Sequence, residues 1–142
     1  MITTATVLAE ATASWAATGF AHGNLNCDNI RLDGAPIDLN IATFIDSYDP
    51  FYAPNILDES GIYSFGNQSS AVKWCALRME DVINSGAPVS TIFDKAYSEA
   101  YYLEMRRRTD LQSVDDVNAF LSRLASSGAN YGEVRGRVRC QT

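Results

Sequence analysis

Residues 20–68 carry no helical period, while the segments on either side do. A chain built this way can only lay an irregular, polar stretch across a helical body. The first helix is predicted over residues 4–17, capped by Thr4, with Val7, Ala11 and Trp15 at helical spacing and Gly19 as its stop. A second is predicted over about 70–85, capped by Ser69 or Ser70, with Val72, Cys75, Met79, Val82 and Ile83 apolar. Gly86-Ala87-Pro88 breaks it, and a third follows over about 89–108, with Ile92, Phe93, Ala96, Ala100 and Leu103 on one face. In the fourth, Ser113 and Asp116 resemble a capping box, Val117, Phe120, Leu121 and Leu124 point inward, and Gly128 ends it. Residues 131–138 read as a last short helix. Inside the irregular stretch, Ile30–Leu32 and the Ile37/Leu39 alternation around Asp38 read as two short strands joined by the turn Asp33-Gly34-Ala35-Pro36. The expected fold is mainly α with a small β-hairpin, a single domain over residues 1–142.

Composition narrows the function. The chain is 46% hydrophobic and 20% charged, enough to bury a core. Its net charge of -6 opposes a nucleic-acid role, because phosphate binding needs a positive field. The basic run Arg135–Arg139 reads as a solvated tail. No stretch reaches the length of a membrane-crossing helix, and the opening residues lack a basic start followed by an apolar run, so a cytoplasmic protein without leader or membrane contact is expected. Cys27, Cys75 and Cys140 are odd in number and widely spaced, which argues for reduced thiols rather than a disulfide framework or a zinc site.

The polar stretch "AHGNLNCDNI", residues 21–30, holds the only histidine. Asp28 and Asn29 stand just before the first short strand and Asp38 lies in the second. A tight turn between them would let two carboxylates and an amide carbonyl converge, a donor set that suits Mg²⁺. The bland alternative is turn chemistry, for which loops commonly use Asp and Asn. The order of parts favours a site. A helix, then H-G-x-x-N-x-x-N, a hairpin and an Asp is the order of a kinase catalytic loop and its metal-binding Asp. In that pattern a base would stand two residues after His22, where Asn24 cannot take a proton; Asp28 stands beside Asn29 instead.

"GFAHGNLNCDN", "IDLN", "FIDSYDP" and "GIYSFGNQSSAVKW", with "YYLEMRRR" and "LSRLASSGANYGEVRGRV" farther on, resemble the selenoprotein O family of kinase-like proteins, which transfer AMP from ATP to protein hydroxyls. The likeness runs from about Ser14 to Val138. It implies a kinase-like C-lobe, with Asp28 as the base, Asn29 and Asp38 as metal ligands, and Asp46, Tyr48, Asp49, Asn67 and Gln68 lining or bracing the cleft beside Asn24 and Asn26. Two positions depart from the family pattern: Asn40 stands where the metal motif has glycine, and Cys27 where it has threonine. The resemblance also implies that the nucleotide-clamping lobe, with the cations that hold ATP phosphates, lies outside this chain. His22 reads as a structural pin as readily as a catalytic group, Cys27 as a small core residue rather than a nucleophile, and Trp74 and the loop aromatics as packing.

Three functional readings follow. The first is a truncated member that does not transfer AMP on its own and uses the acidic pocket, with Mg²⁺ but not ATP, for a small-molecule ligand or for acid–base chemistry. The second is half of a split transferase completed by a partner chain. The third is a non-catalytic interaction module. In each, the face above residues 22–46 is expected to be open and covered by a partner protein or by a second copy, with residues 1–20, at the edge, in a homodimer interface.

Overall fold

The computed structural model describes residues 3–136. Their order is helix α1 (Thr4–Thr18), strand β1 (Phe20–Ala21), a 3-10 turn Cys27–Asn29, strand β2 (Thr43–Phe44), a second 3-10 turn Phe65–Asn67, then helices α2 (Gln68–Ile83), α3 (Val89–Thr109), α4 (Val114–Ser127) and α5 (Gly132–Gly136). The expected end of the last helix beyond Gly136, the basic residues Arg137 and Arg139, and Cys140 lie outside the described residues. The fold is mainly helical, with one two-stranded antiparallel sheet pairing Phe20 with Phe44 and Ala21 with Thr43.

The helix ends follow local chemistry. Thr3, one residue before the expected cap, accepts the Thr6 amide and starts α1. Gly19 closes it at φ 75, its amide bonded to Ala16. The space beside Gly19 is closed as well: a Cβ there would stand 2.7 Å from the Tyr131 ring. Neither Ser69 nor Ser70 caps α2, which starts at Gln68 and stops at Asn84 in the left-handed region. Ser113 caps α4 as expected, accepting the Asp116 amide while its hydroxyl bonds the Asp116 carboxylate.

Contrary to the expectation for residues 1–20, α1 is the central helix rather than an edge. Ala5, Ala9, Ala13 and Ala17 recur every fourth residue and are buried, as are Leu8 and Thr12. This stripe of small side chains lets α3 approach closely, and α2 packs alongside. Two core clusters meet on α1. One joins Leu8 and Ala9 to Leu25, Ile30, Val72 and Phe93; the other joins Ala17 to Ile45, Phe65, Met105, Val117, Leu121 and Tyr131. In α2 the inward side is Val72, Cys75 and Ala76, whereas Val82 and Ile83 are exposed beside a groove of about 560 Å³. Trp74 is also exposed rather than in the core, with the Arg78 guanidinium 5.6 Å from its ring centre.

A ladder of aromatic rings ties α3 to the irregular stretch. Phe93, Tyr97 and Tyr101 stack along α3, and Tyr48 lies against Phe65 and Tyr131. Burial pushes the Tyr97 phenol up to about 12 and raises those of Tyr101 and Tyr131 further. A folded-state pKa above the unfolded value of about 10 means stability is full below that pH and is lost as pH rises through the folded values. Alkaline titration followed by tyrosinate absorbance and circular dichroism is therefore expected to show a fold unchanged to about pH 10, with buried tyrosines ionising only as it melts at higher pH.

Candidate functional site

The expected hairpin contracts to a turn. Ile30 and Pro36 form a single antiparallel bridge, closed by Arg31 N–H to Ala35 O and Gly34 N–H to Arg31 O. The strands go no further because Asp38 has φ 56, a left-handed conformation that ends an extended run. The stretch pairs elsewhere, at β1 and β2, where Ile45 N–H donates to Gly19 O.

This turn nevertheless pairs the backbones of Asn29 and Ile37. The Ile37 amide donates to Asn29 O at 2.8 Å, and Asp38 follows one residue beyond that pairing. His22 is fully buried below them. Its Nδ1 accepts the Asn24 amide at 3.2 Å, so the proton sits on Nε2, which donates to Ile37 O at 2.7 Å. Both ring nitrogens are held by backbone, and His22 is a pin between the two sides of the turn, not a free acid or base.

Three asparagines shape the loop above it. Asn26 caps the 3-10 turn by accepting the Asp28 amide at 3.0 Å and donates to Asn24 Oδ1 at 3.3 Å. Asn29 Nδ2 donates to Asn24 O at 2.9 Å, leaving its Oδ1 available to a ligand. The Asp28 side chain is exposed on this turn. Asp38 accepts a 2.5 Å hydrogen bond from Asn40 Nδ2, so the residue in the place of the motif glycine touches the Asp38 carboxylate. An oxygen set of Asp28, Asn29 Oδ1 and Asp38 matches the donors Mg²⁺ takes. No group of three or more His, Cys, Asp or Glu is close enough to hold a metal among the described residues, so any cation here would use few protein ligands.

The remaining expected residues divide. Gln68 is buried and braces the site: its Oε1 accepts the His22 amide and its Nε2 donates to Phe20 O, both at 2.9 Å. Asp46 contributes its backbone carbonyl to the Tyr131 amide at 2.7 Å. Tyr48 is half-buried among rings, and burial raises its phenol. Asp49 caps its own turn by accepting the Phe51 amide at 2.9 Å. Asn67 donates to Gly61 O at 2.8 Å and lines a groove of about 520 Å³ with Leu25, Asn26, Ile62, Tyr63, Trp74 and Cys75.

Two features escaped the sequence reading. Asp58 organises the long loop by accepting the Ile62 and Tyr63 amides, at 3.0 and 2.7 Å. Its signal was present in the Asp-x-x-Gly turn at residues 58–61. The other is a correction. Cys27 and Cys75 are joined in a disulfide rather than being isolated thiols. Odd number and wide spacing concealed the pair, because its closure depends on α2 packing beneath the loop.

Comparison with known proteins decides the family. The family profile described as Protein adenylyltransferase SelO matches residues 4–132. The chain belongs to the SelO family. The SelO-family relatives include the "Protein nucleotidyltransferase YdiU" of Rhodococcus jostii, 32% identical over 139 residues, covering 87% of this chain and 27% of that protein. The Nitrobacter winogradskyi protein of the same name is 32% identical over 144 residues, covering 87% and 28%. The human "Protein adenylyltransferase SelO, mitochondrial" is 30% identical over 125 residues, covering 82% and 19%. The chain thus spans under a third of the length of these SelO relatives. Among the described residues no helix is long and apolar enough to cross a membrane.

Proposed function

We propose that this chain carries the base-and-metal side of a SelO-type site on the C-lobe of a kinase-like fold and does not transfer AMP by itself. Asp28 acts as a general base; Asn29 and Asp38 hold a Mg²⁺. The supporting observation is the pairing of Asn29 with Ile37, pinned by His22, which sets Asp38 beside Asn29 while Asp28 stays exposed. Phosphate-holding cations are scarce here. Arg31 is the one Lys or Arg before Lys73, and it is bound to Asp33 at 2.6 Å. Alone, such an acidic pocket suits a Mg²⁺-assisted small ligand or acid–base chemistry better than ATP.

The names of the YdiU and SelO relatives support a second reading, in which a partner supplies the nucleotide-holding side and the two together act as a nucleotidyltransferase. Exposed Ile37, Leu39, Phe51, Ile56 and Leu57 support a partner protein or a second copy over this face.

Calorimetric titration separates the possibilities. The chain is expected to bind Mg²⁺ weakly and to give no saturable isotherm with sub-millimolar Mg-ATP. Asp28→Asn and Asp38→Asn are each expected to abolish Mg²⁺ binding while changing stability by no more than about 1 kcal/mol, since the carboxylates are exposed. A clear Mg-ATP isotherm, or unfolding of both variants, would overturn the reading.

A further inference from the structure

The bond between Cys27 and Cys75 spans 48 residues of sequence and holds two Cα atoms 5.3 Å apart. Its ends differ in kind. Cys27 is half-buried and opens the 3-10 turn that carries Asp28 and Asn29. Cys75 is buried in the middle of α2. The groove of about 520 Å³ has Cys75 and Asn26 in its wall and gives a small molecule room to approach. Apart from this bond, the Cys27–Asn29 turn is held by backbone bonds from Asn29 N–H to Asn26 O and from Ile37 N–H to Asn29 O, at 3.0 and 2.8 Å, and by the Asn24, Asn26 and Asn29 side-chain bonds at 2.9–3.3 Å, part-buried or exposed. Such bonds compete with water and hold weakly.

We propose that Cys27–Cys75 is a thiol–disulfide switch that sets the order of the Asp28–Asn29 turn, answering to a low-molecular-weight thiol/disulfide couple. In the reducing direction, the thiolate of a small thiol attacks Cys27 Sγ. The Cys27–Cys75 bond breaks as a Cys27–small-thiol bond forms, and Cys75 leaves as a thiolate that takes a proton. A second small thiolate attacks the small-molecule sulfur of that mixed disulfide, and Cys27 leaves and is protonated. The two small thiols depart as one disulfide, oxidised by two electrons; the protein pair is reduced by two. Oxidation is the reverse. The reduced Cys75 thiol stays in the core as a small apolar side chain, whereas Cys27 is released at the site. The switch is therefore asymmetric: α2 keeps its packing and the catalytic turn loosens.

The test uses the full chain carrying Cys140→Ser, so that only this pair can form. It is equilibrated in small thiol/disulfide buffers at the oxidising and reducing extremes. Amide hydrogen exchange is read over residues 24–31 and over α1 and α3, and Mg²⁺ affinity is read in parallel. In the reduced chain, exchange over 24–31 is expected to run through a local opening at least about tenfold faster than global unfolding and insensitive to low urea, while α1 and α3 exchange only through global unfolding. Cys27→Ser and Cys75→Ser are expected to show the fast rate in both buffers. Equal exchange over 24–31 in the two buffers would overturn the switch. So would exchange over 24–31 that keeps to the global unfolding rate and urea dependence of α1 and α3 in the reduced chain, because the bond would then act as a global staple alone. The Mg²⁺ arm rests on the function proposed above, with several-fold weaker binding expected on reduction. An oxidised chain that binds no Mg²⁺ but whose exchange still responds would remove that function and keep the switch.

Discussion

Reduction of the Cys27–Cys75 bond lowers the unfolding free energy by about 3–4 kcal/mol. The bond closes a loop with a sequence separation of 48 residues, and on the chain-entropy account a loop of this size restricts the unfolded ensemble by roughly that amount. For a chain of 142 residues, the corresponding drop in melting temperature is roughly 10 °C. Melts with and without a strong reductant, on the wild type and on Cys75→Ser, check this. Cys75→Ser should melt at the reduced wild-type temperature or a little below, since a buried hydroxyl replaces a thiol. A difference of under about 1 kcal/mol between the two redox states would mean that the unfolded chain loses little freedom through this bond.

The second large effect is at the centre of α1. Leu8→Ala is expected to cost about 3 kcal/mol, through lost transfer energy and the cavity left behind. Leu8 is fully enclosed in the cluster with Leu25, Val72 and Phe93, where neighbouring helices cannot easily collapse inward. The adjacent Val7 is only partly buried, and Val7→Ala should cost under about 1 kcal/mol. Urea unfolding of both variants separates a core helix from an interface helix. Were α1 an edge element, Leu8→Ala would change the association state more than the midpoint of unfolding.

The helices were legible because their signals are local. Gly19, Ser113 and Gly128 each act within one turn, and the α4 side chains Val117, Leu121 and Leu124 fall inward as their spacing predicts. The outward turn of Val82, Ile83 and Trp74 was not legible, since apolar spacing says which residues share a face but not whether a neighbour covers it. The site was legible as a motif. The strands meant to carry Asn29 and Asp38 are one bridge, because Asp38 turns left-handed where alternation suggested extension, and His22 joins the two sides through Ile37 O instead. The cysteine pair was illegible for a different reason. Contact across 48 residues is a product of tertiary packing, and neither cysteine's neighbours in sequence report it.

Gln68 does more than brace a loop. On the residues flanking β1, Gly19 O faces β2, taking the Ile45 amide, while Phe20 O and His22 N–H bond to Gln68 instead. Those two groups are what a third strand would seek. One glutamine side chain, with an acceptor and a donor on the same amide, satisfies both. The sheet therefore ends in a strand one residue wide, drawn from a helix rather than from another length of chain. A naked strand edge invites pairing with a neighbouring molecule. On the β1 side that invitation is withdrawn by a single amide, without a barrel, a bulge or a proline.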